Sequence, residues 1–512
     1  MFVPEGNLGV LVDRARDGAR PLLVEWPETG VPREWTGNEI EAEADAIARG
    51  LLRRGLERGE RVAIAGANSA QYLCVYLAIM RAGLVAVPVN TRLPDATIEY
   101  VLHDSGARLA LTDGVERSRI ARLELPNVCL EDRGEMEALR DPGSFDSVRP
   151  ERDEVAMFLY TSGSTGRPKG VPLTHYGHRW VIAHRFQPGV DYRRQRMLVA
   201  APLYHMNALA VCKFALASGA SVVLLPRFSA ERYIAAIERF RCTWLTSVPT
   251  MLALVSQREA QLARTDLSSV ESVRMGSAPV TGDLLGRIAH WFPGARIQIG
   301  YGTTEAGPVV FGPHPDGLPA LPLSLGVAHP AIDLRLVRGS DRGACEGVLE
   351  MRCPALMPGY HNLPEKTEEV MTEDGYYRTG DVMRRDADGF FFFVGRDDGM
   401  FVCNGENVYP EEVEHLLEAH PSVAQACVVP VDDPVRGQMP VGFVVAAPGE
   451  TVDEAVLKTY AIARGPAYQH PRHVFVREAL PLAGTNKIDR RELALEAKHR
   501  MAERGAGGET GT

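Results

Sequence analysis

Cysteine is scarce in this chain: eight thiols are scattered over 512 residues, with no C-x-x-C pair and no zinc spacing. That excludes a disulfide-stapled secreted scaffold and a cysteine-ligated metal module, and it predicts reduced thiols in the cytoplasm. Cys345 and Cys353, the closest pair, fit core or strand positions better than ligation. No run of about 18 apolar residues exists, so no membrane-spanning helix and no membrane partner are expected. The N-terminus lacks a basic segment followed by an apolar one, and the final Gly-Thr matches no peroxisomal address, so neither targeting signal is expected. Cations are also in deficit, with 56 Lys and Arg against 66 Asp and Glu and a net charge of -10. A general nucleic-acid partner, which needs a basic face, is thereby excluded. A local cationic funnel is not. The hydrophobic fraction of 45% and charged fraction of 24% are those of an ordinary globular chain. Its length exceeds what one hydrophobic core serves, so at least two domains are expected.

Apolar runs alternate with helical patterns through the first half. Arg61 to Gly66 reads as a strand, Ser69 as an N-cap, Tyr72 to Ala82 as a helix and Leu84 to Val89 as the next strand. Thr97 to His103 is helical and Arg108 to Thr112 extended; the pattern recurs at Ser221 to Leu225, Ala230 to Phe240, Trp244 to Val248 and after Pro249. This is the signature of βαβ units, an α/β fold with parallel sheets. Beyond about residue 330 the strands shorten, as at Gly347 to Met351 and Gly389 to Val394, which predicts a smaller barrel-like part. A compact α+β segment follows Arg396, with a helix over Pro410 to Ala419 and a strand over Ala426 to Pro430. The expected division is therefore an N-terminal domain over 1–396, a junction at 397–399, a C-terminal domain over 400–501, and a disordered tail from Ala502.

The densest chemical signal runs from Leu159 to Gly170. Thr161, Ser162, Ser164 and Thr165 supply hydroxyl donors, Gly163 and Gly166 let backbone N–H groups approach an anion, and Lys169 adds full charge. A flexible Ser/Gly turn would explain the glycines but not the lysine held beside Pro168. The pattern is not a Walker A loop, whose lysine lies between Gly and Ser/Thr. It suits a polyphosphate. Further motifs are Tyr301-Gly-Thr-Thr-Glu-Ala-Gly307 after an apolar run, Tyr377 to Asp381, Gly395 to Asp398, and Gly484 to Asp489.

In order and spacing these motifs closely resemble the acyl-adenylate-forming superfamily of acyl-CoA synthetases, peptide-synthetase adenylation domains and luciferases, over about Val10 to Leu493. The finer details are similar to the 4-chlorobenzoate-CoA ligase branch. The resemblance implies a large N-terminal domain, a small mobile C-terminal domain turning on Asp398, magnesium as the metal, ATP and CoA as co-substrates, and a carboxylic acid as substrate. A homodimer is compatible with the resemblance, and the sequence does not fix the oligomeric state.

The same resemblance assigns roles. Lys169 and its loop would hold the β/γ-phosphates, Thr304 would reach the α-phosphate, and Glu305, with Thr165, would bind magnesium, a hard cation that takes oxygen ligands. Tyr301, Gly302 and Thr303 would form one wall of the adenine site and Gly276, Ser277, Ala278 and Pro279 the other. Asp381 would accept the ribose hydroxyls beside Arg396. Lys487 resembles the adenylation lysine, a cation between two anions that otherwise repel; Asn486 stands where glycine is commoner. In a rotated orientation Gly405 would line the pantetheine arm and Tyr468 and Arg472 would meet the nucleotide end of CoA, although Gln469 replaces a frequent lysine.

The acyl pocket is assigned to His184, His205, Met206, Asn207, Gly276, Gly300, Gly302 and Gly307. A polar residue at His184 favours a substituted or polar ring. Three readings follow: an aryl or arylalkenoyl acid:CoA ligase of the benzoate or cinnamate type, an aliphatic or alicyclic acyl-CoA synthetase, and an acyl-adenylating enzyme that loads a carrier protein. The aryl reading takes precedence on the branch-like motifs, and the lack of a fused carrier domain counts against the third.

Overall fold

A computed structural model describes residues 5–161, 167–278, 280–403, 406–433, 437–465, 469–483 and 487–506. Two α/β sheets form the bulk of the first part. One has six strands in the order Asn127–Cys129, Ala107–Thr112, Arg61–Ala65, Val85–Pro88, Val155–Thr161, Lys169–Thr174. It is parallel up to Val155–Thr161, which pairs antiparallel with Lys169–Thr174. The other has seven strands, running from Arg296–Gly300 through Ser272–Gly276, Trp244–Ser247, Arg196–Val199 and Ser221–Leu224 to the edge pair Pro21–Glu25 and Arg33–Thr36. Both sheets are covered by helices, so strands such as Arg61–Ala65 are apolar along nearly their whole length.

Local chemistry sets the helix starts. Ser69 accepts from the Tyr72 N–H, so the helix begins at Ala70 and runs to Arg81; such a cap contributes about 1 kcal/mol. Thr36 and Glu39 form a reciprocal capping box that opens Gly37–Arg53. Helix Ala230–Phe240 falls on the residues its periodicity predicts, capped by Ser229.

The expected barrel-like part is a six-stranded antiparallel sheet in the order Phe311–Gly312, Gly326–Ala328, Phe390–Arg396, Tyr377–Arg385, Glu346–Arg352, Asp333–Val337. Its last strand in the chain ends at Arg396. The next strand, Phe401–Cys403, belongs to a separate five-stranded sheet with Glu406–Val408, Gly437–Ala446, Val423–Asp433 and His473–Arg477. Apolar clusters cover both faces of that sheet, one around Val413, Leu417 and Leu457, the other around Phe443, Phe475 and Leu493. The two parts meet where Tyr409 and Glu411 press on Gly395: a Cβ there would stand 3.0 Å from each side chain.

The final helix, Arg490–Ala506, continues past Ala502, where composition predicts a disordered tail. Ion pairs one turn apart, Arg500 with Glu496 and His499 with Glu503, extend it where the glycine-rich composition argues for coil. Among the described residues no helix is long and apolar enough to cross a membrane.

Candidate active site

The hairpin Val155–Thr161/Lys169–Thr174 sets Thr161 directly across from Lys169, so the serine- and glycine-rich loop is held at both ends. Ser162, Gly163, Ser164, Thr165 and Gly166 themselves lie outside the described residues. The Thr161 hydroxyl is buried with no hydrogen-bond partner among the described residues, an arrangement that is costly unless a ligand supplies one. Lys169 Nζ donates to the Tyr360 hydroxyl at 3.1 Å and lies 4.2 Å from the centre of its ring. Tyr360 donates in turn to Glu305 Oε1 at 2.8 Å. Burial lowers the pKa of Lys169, and Glu305 opposes the shift. Tyr360 is thus the hinge of a Lys169–Tyr360–Glu305 chain, and Tyr377 neighbours it closely enough to share its hydrogen-bonding. Neither tyrosine stands out in the sequence for this purpose; the one local signal is Pro358-Gly359 ahead of Tyr360, which fixes a turn.

Strands Ser272–Gly276 and Arg296–Gly300 run parallel and end together, with Gly276 opposite Gly300. Their C-terminal ends open into the loops that carry Ser277, Ala278 and Tyr301, the usual place for ligands in such sheets. Ser277 holds φ at +71°, a left-handed conformation that non-glycine residues seldom adopt outside functional loops. Pro279 lies outside the described residues. Gly276 and Gly302 are required by close approach: a Cβ would stand 2.7 Å from the Gly300 carbonyl oxygen in the first case and 2.5 Å from Pro308 Cα in the second. Thr303 Oγ1 accepts from the Ala306 N–H at 3.0 Å and Gly307, at φ +80°, donates to the Thr303 carbonyl at 2.9 Å, which folds the turn that presents Thr304 and Glu305.

Tyr301 donates its hydroxyl to Asp381 Oδ2, and Arg396 Nη1 reaches Asp381 Oδ1 at 2.9 Å. Each carboxylate oxygen keeps a further acceptor site, so Asp381 retains capacity for hydroxyl donors. Arg396 also donates to Asp398, at 2.9 and 3.0 Å. Desolvation opposes its charge, but Asp398 and Asp381 outweigh it and hold the guanidinium above its usual range.

Lys487 comes from the C-terminal part yet enters this cluster. Its residue surface stays open to solvent, while desolvation lowers its pKa against the pull of Asp381 and Glu305. Gly484, Thr485 and Asn486 before it lie outside the described residues. His205, the residue ahead of helix Met206–Ser218, is brought down to about 4 by burial and by the Lys487 and Arg92 charges, so its imidazole is neutral at pH 7. Asn207 Oδ1 accepts from Thr246 Oγ1 at 3.3 Å, and Met206 packs on the main core. His184 closes helix His175–Ala183: its ring lies 4.4 Å from Trp180, 5.7 Å from His329, and Nδ1 donates to the Trp180 carbonyl at 2.9 Å. That bond leaves Nε2 as the acceptor of the neutral ring.

Of the residues expected to meet CoA, Gly405 and Tyr468 lie outside the described residues. Arg472 Nη1 contacts His470 Nε2 at 2.7 Å.

Fold and site together define a nucleotide-activating protein of two unequal parts. A model of the AMP-binding enzyme family matches residues 13–361, and one of the AMP-binding enzyme C-terminal domain matches 412–487. The chain belongs to the AMP-binding enzyme family, as its motifs imply. It is 34% identical over 454 residues to a feruloyl-CoA synthase of an Amycolatopsis species, covering 88% of this chain and 91% of that protein. With a sulfoacetate–CoA ligase of Cupriavidus necator it shares 32% identity over 507 residues, covering 93% and 95%. An anthranilate CoA ligase solved with anthranoyl-AMP matches the fold with a TM-score of 0.88 at 25% identity, over 97% of this chain and 98% of that one.

Proposed function

We propose that this protein is an ATP-dependent acid:CoA ligase acting on an aromatic acid of the benzoate or cinnamate type, first making an acyl-AMP and then a thioester. The observation that carries this reading is the Lys487 ammonium, brought from the C-terminal part into the reach of Asp381, Glu305 and His205. In the first step a carboxylate oxygen attacks the α-phosphorus and the bond to the β-phosphate breaks, releasing pyrophosphate. Lys487 lies between the two reacting anions, and Lys169 with its loop takes up charge on the leaving group. Tyr301 and the strand end at Gly276 bracket the base, while Asp381 and Arg396 orient the ribose. In the second step the CoA sulfur attacks the acyl carbon and AMP leaves with the bonding pair. Neutral His205 lines the carboxylate end without adding a competing cation.

Magnesium fits Glu305, an oxygen donor buried beside the phosphate loop. Among the described residues no cluster of three His, Cys, Asp or Glu side chains exists; Glu305 would hold the ion with phosphate oxygens and water, while Thr165, the other expected ligand, lies outside the described residues. A bound ion would neutralise polyphosphate charge. Support for an aromatic acid comes from the feruloyl and anthranilate ligases to which the chain is similar. Pyrophosphate release with ATP and CoA over benzoates, cinnamates and alkanoates tests the reading: aromatic acids should give the highest kcat/KM, and turnover confined to alkanoates would overturn it.

A further inference from the structure

Arg274 sits in the middle of strand Ser272–Gly276, in register with Thr246 on one side and Gln298 on the other. Residues paired across parallel strands point to the same face, as do residues two apart, so Arg274 shares its face with Thr246, Gly276 and Gly300. Thr246 bonds to Asn207 in the first turn of helix Met206–Ser218, which identifies the face as the floor beneath His205, Met206 and Asn207. A Cβ on Gly300 would stand 2.7 Å from Arg274 Nε and 3.1 Å from Nη2: the guanidinium lies in the space that Gly300 leaves free.

Arg185 approaches from the opposite side. It follows His184, donates to the Ala210 carbonyl at 2.9 Å and lies 4.8 Å from the Phe214 ring. Burial and the Arg274 charge bring Arg185 down to about 9, and burial alone lowers Arg274. Both residues nonetheless keep part of their surface accessible. Neither has a carboxylate partner among the described residues. The chain does otherwise with a structural arginine: Arg81, fully buried, donates to Glu41 at 2.8 Å, to Asp45 and to the Gly9 carbonyl at 2.9 Å. Two largely enclosed cations without a counter-charge are unfavourable unless an anion joins them.

We propose that Arg274, with Arg185 behind it, is the anion-binding end of the acyl pocket, and that the acid activated here carries a second carboxylate or sulfonate away from the reacting one. An aromatic dicarboxylate or a sulfonated aromatic acid has this chemistry, since a planar guanidinium presents paired donors to either oxyanion. The similarity to a sulfoacetate–CoA ligase is in keeping with it. The inference rests on the ligase reading above and narrows its substrate.

The test is a matched panel, benzoate against terephthalate and 4-sulfobenzoate, and cinnamate against 4-carboxycinnamate, read as pyrophosphate release and as binding of the acid by calorimetry. The wild-type protein should prefer the second anion by about tenfold or more in kcat/KM, the worth of one charge-assisted hydrogen bond. Arg274→Met should abolish that preference and leave the ATP KM within about twofold, while Arg274→Lys should keep part of it. If the methionine variant fails to fold, the lysine variant and the wild-type panel carry the test. Turnover of parent acids with rejection of every second anion would overturn this inference alone; no ATP-dependent turnover of any acid would overturn the ligase reading with it.

Discussion

Lys487 and Lys213 each carry an ammonium into enclosed surroundings and meet opposite company. Around Lys487 stand Asp381 and Glu305, which pull its pKa up against the desolvation that lowers it. Lys487→Ala should lower acyl-adenylate formation by about 10² or more, the scale of one lost transition-state contact. Thioester formation from a pre-made acyl-AMP should be spared, and equal loss in both half-reactions would count against a role confined to the first. Lys213 has no carboxylate partner among the described residues: Nζ lies 3.5 Å from His178 Nδ1 and 3.8 Å from Met157 Sδ, inside the main core. Burial, aided by Arg185, brings it down to about 7. Below that pH both the folded and the unfolded chain carry the proton, and the fold bears the full penalty of a buried charge. Between pH 7 and the ordinary lysine value of 10.5 the unfolded chain binds more protons, so stability rises with pH across that window. Lys213→Met should flatten the rise and stabilise the protein by about 1–4 kcal/mol at the acidic end. Urea denaturation at about pH 6 and about pH 9 measures it; parallel curves for variant and wild type would refute the assignment. Sequence pattern hid this residue, because an apolar helix with one lysine reads as amphipathic until the fold covers it.

At the scale of elements, apolar periodicity located the strands and helices of the βαβ half to within a residue or two, for a physical reason. Burial on both faces makes each strand a continuous apolar run, and Ser69 and Ser229 mark helix starts through their own hydrogen bonds. The proposed phosphate loop stands out in the sequence for a local reason: its hydroxyls, glycines and lysine are adjacent in the chain. Tyr360 was not, since it meets Lys169 across 191 residues and no local pattern records that approach. Its hydroxyl ties the hairpin Val155–Thr161/Lys169–Thr174 to the turn bearing Glu305. Tyr360→Phe keeps the ring beneath the ammonium and removes only that link. The ATP KM should rise several-fold with the far-UV spectrum unchanged, since one part-buried hydrogen bond contributes about 1 kcal/mol. An unaltered ATP KM would confine Tyr360 to packing.

For the whole molecule, the strand ending at Arg396 and the one starting at Phe401 belong to different sheets, and only Asp397 to Met400 join them. The sequence expectation puts a junction at 397–399, where the texture of short strands gives way to an α+β pattern. The order of strands within each sheet was not legible: the edge pair Pro21–Glu25 and Arg33–Thr36 reaches its neighbour Ser221–Leu224 across most of the domain. The proposed two-step reaction requires Lys487 at the site first and the CoA thiol there afterwards, which a single arrangement of the two parts does not serve. Asp398 is the proposed pivot. Its carboxylate clamps Arg396, itself bound to Asp381, so the hinge and the ribose end of the site share one arginine. Asp398→Pro fixes φ near −65° and removes the rotation. Acyl-AMP should still form, read as the pyrophosphate displaced in a single turnover, whereas acyl-CoA production should fall by about 10² or more, a hinge change acting on the later step alone. Asp398→Asn, which keeps backbone freedom and loses only charge on the clamp, separates the two effects: it should retain thioester formation. Wild-type acyl-CoA production by the proline variant would move the pivot elsewhere in Asp397 to Met400.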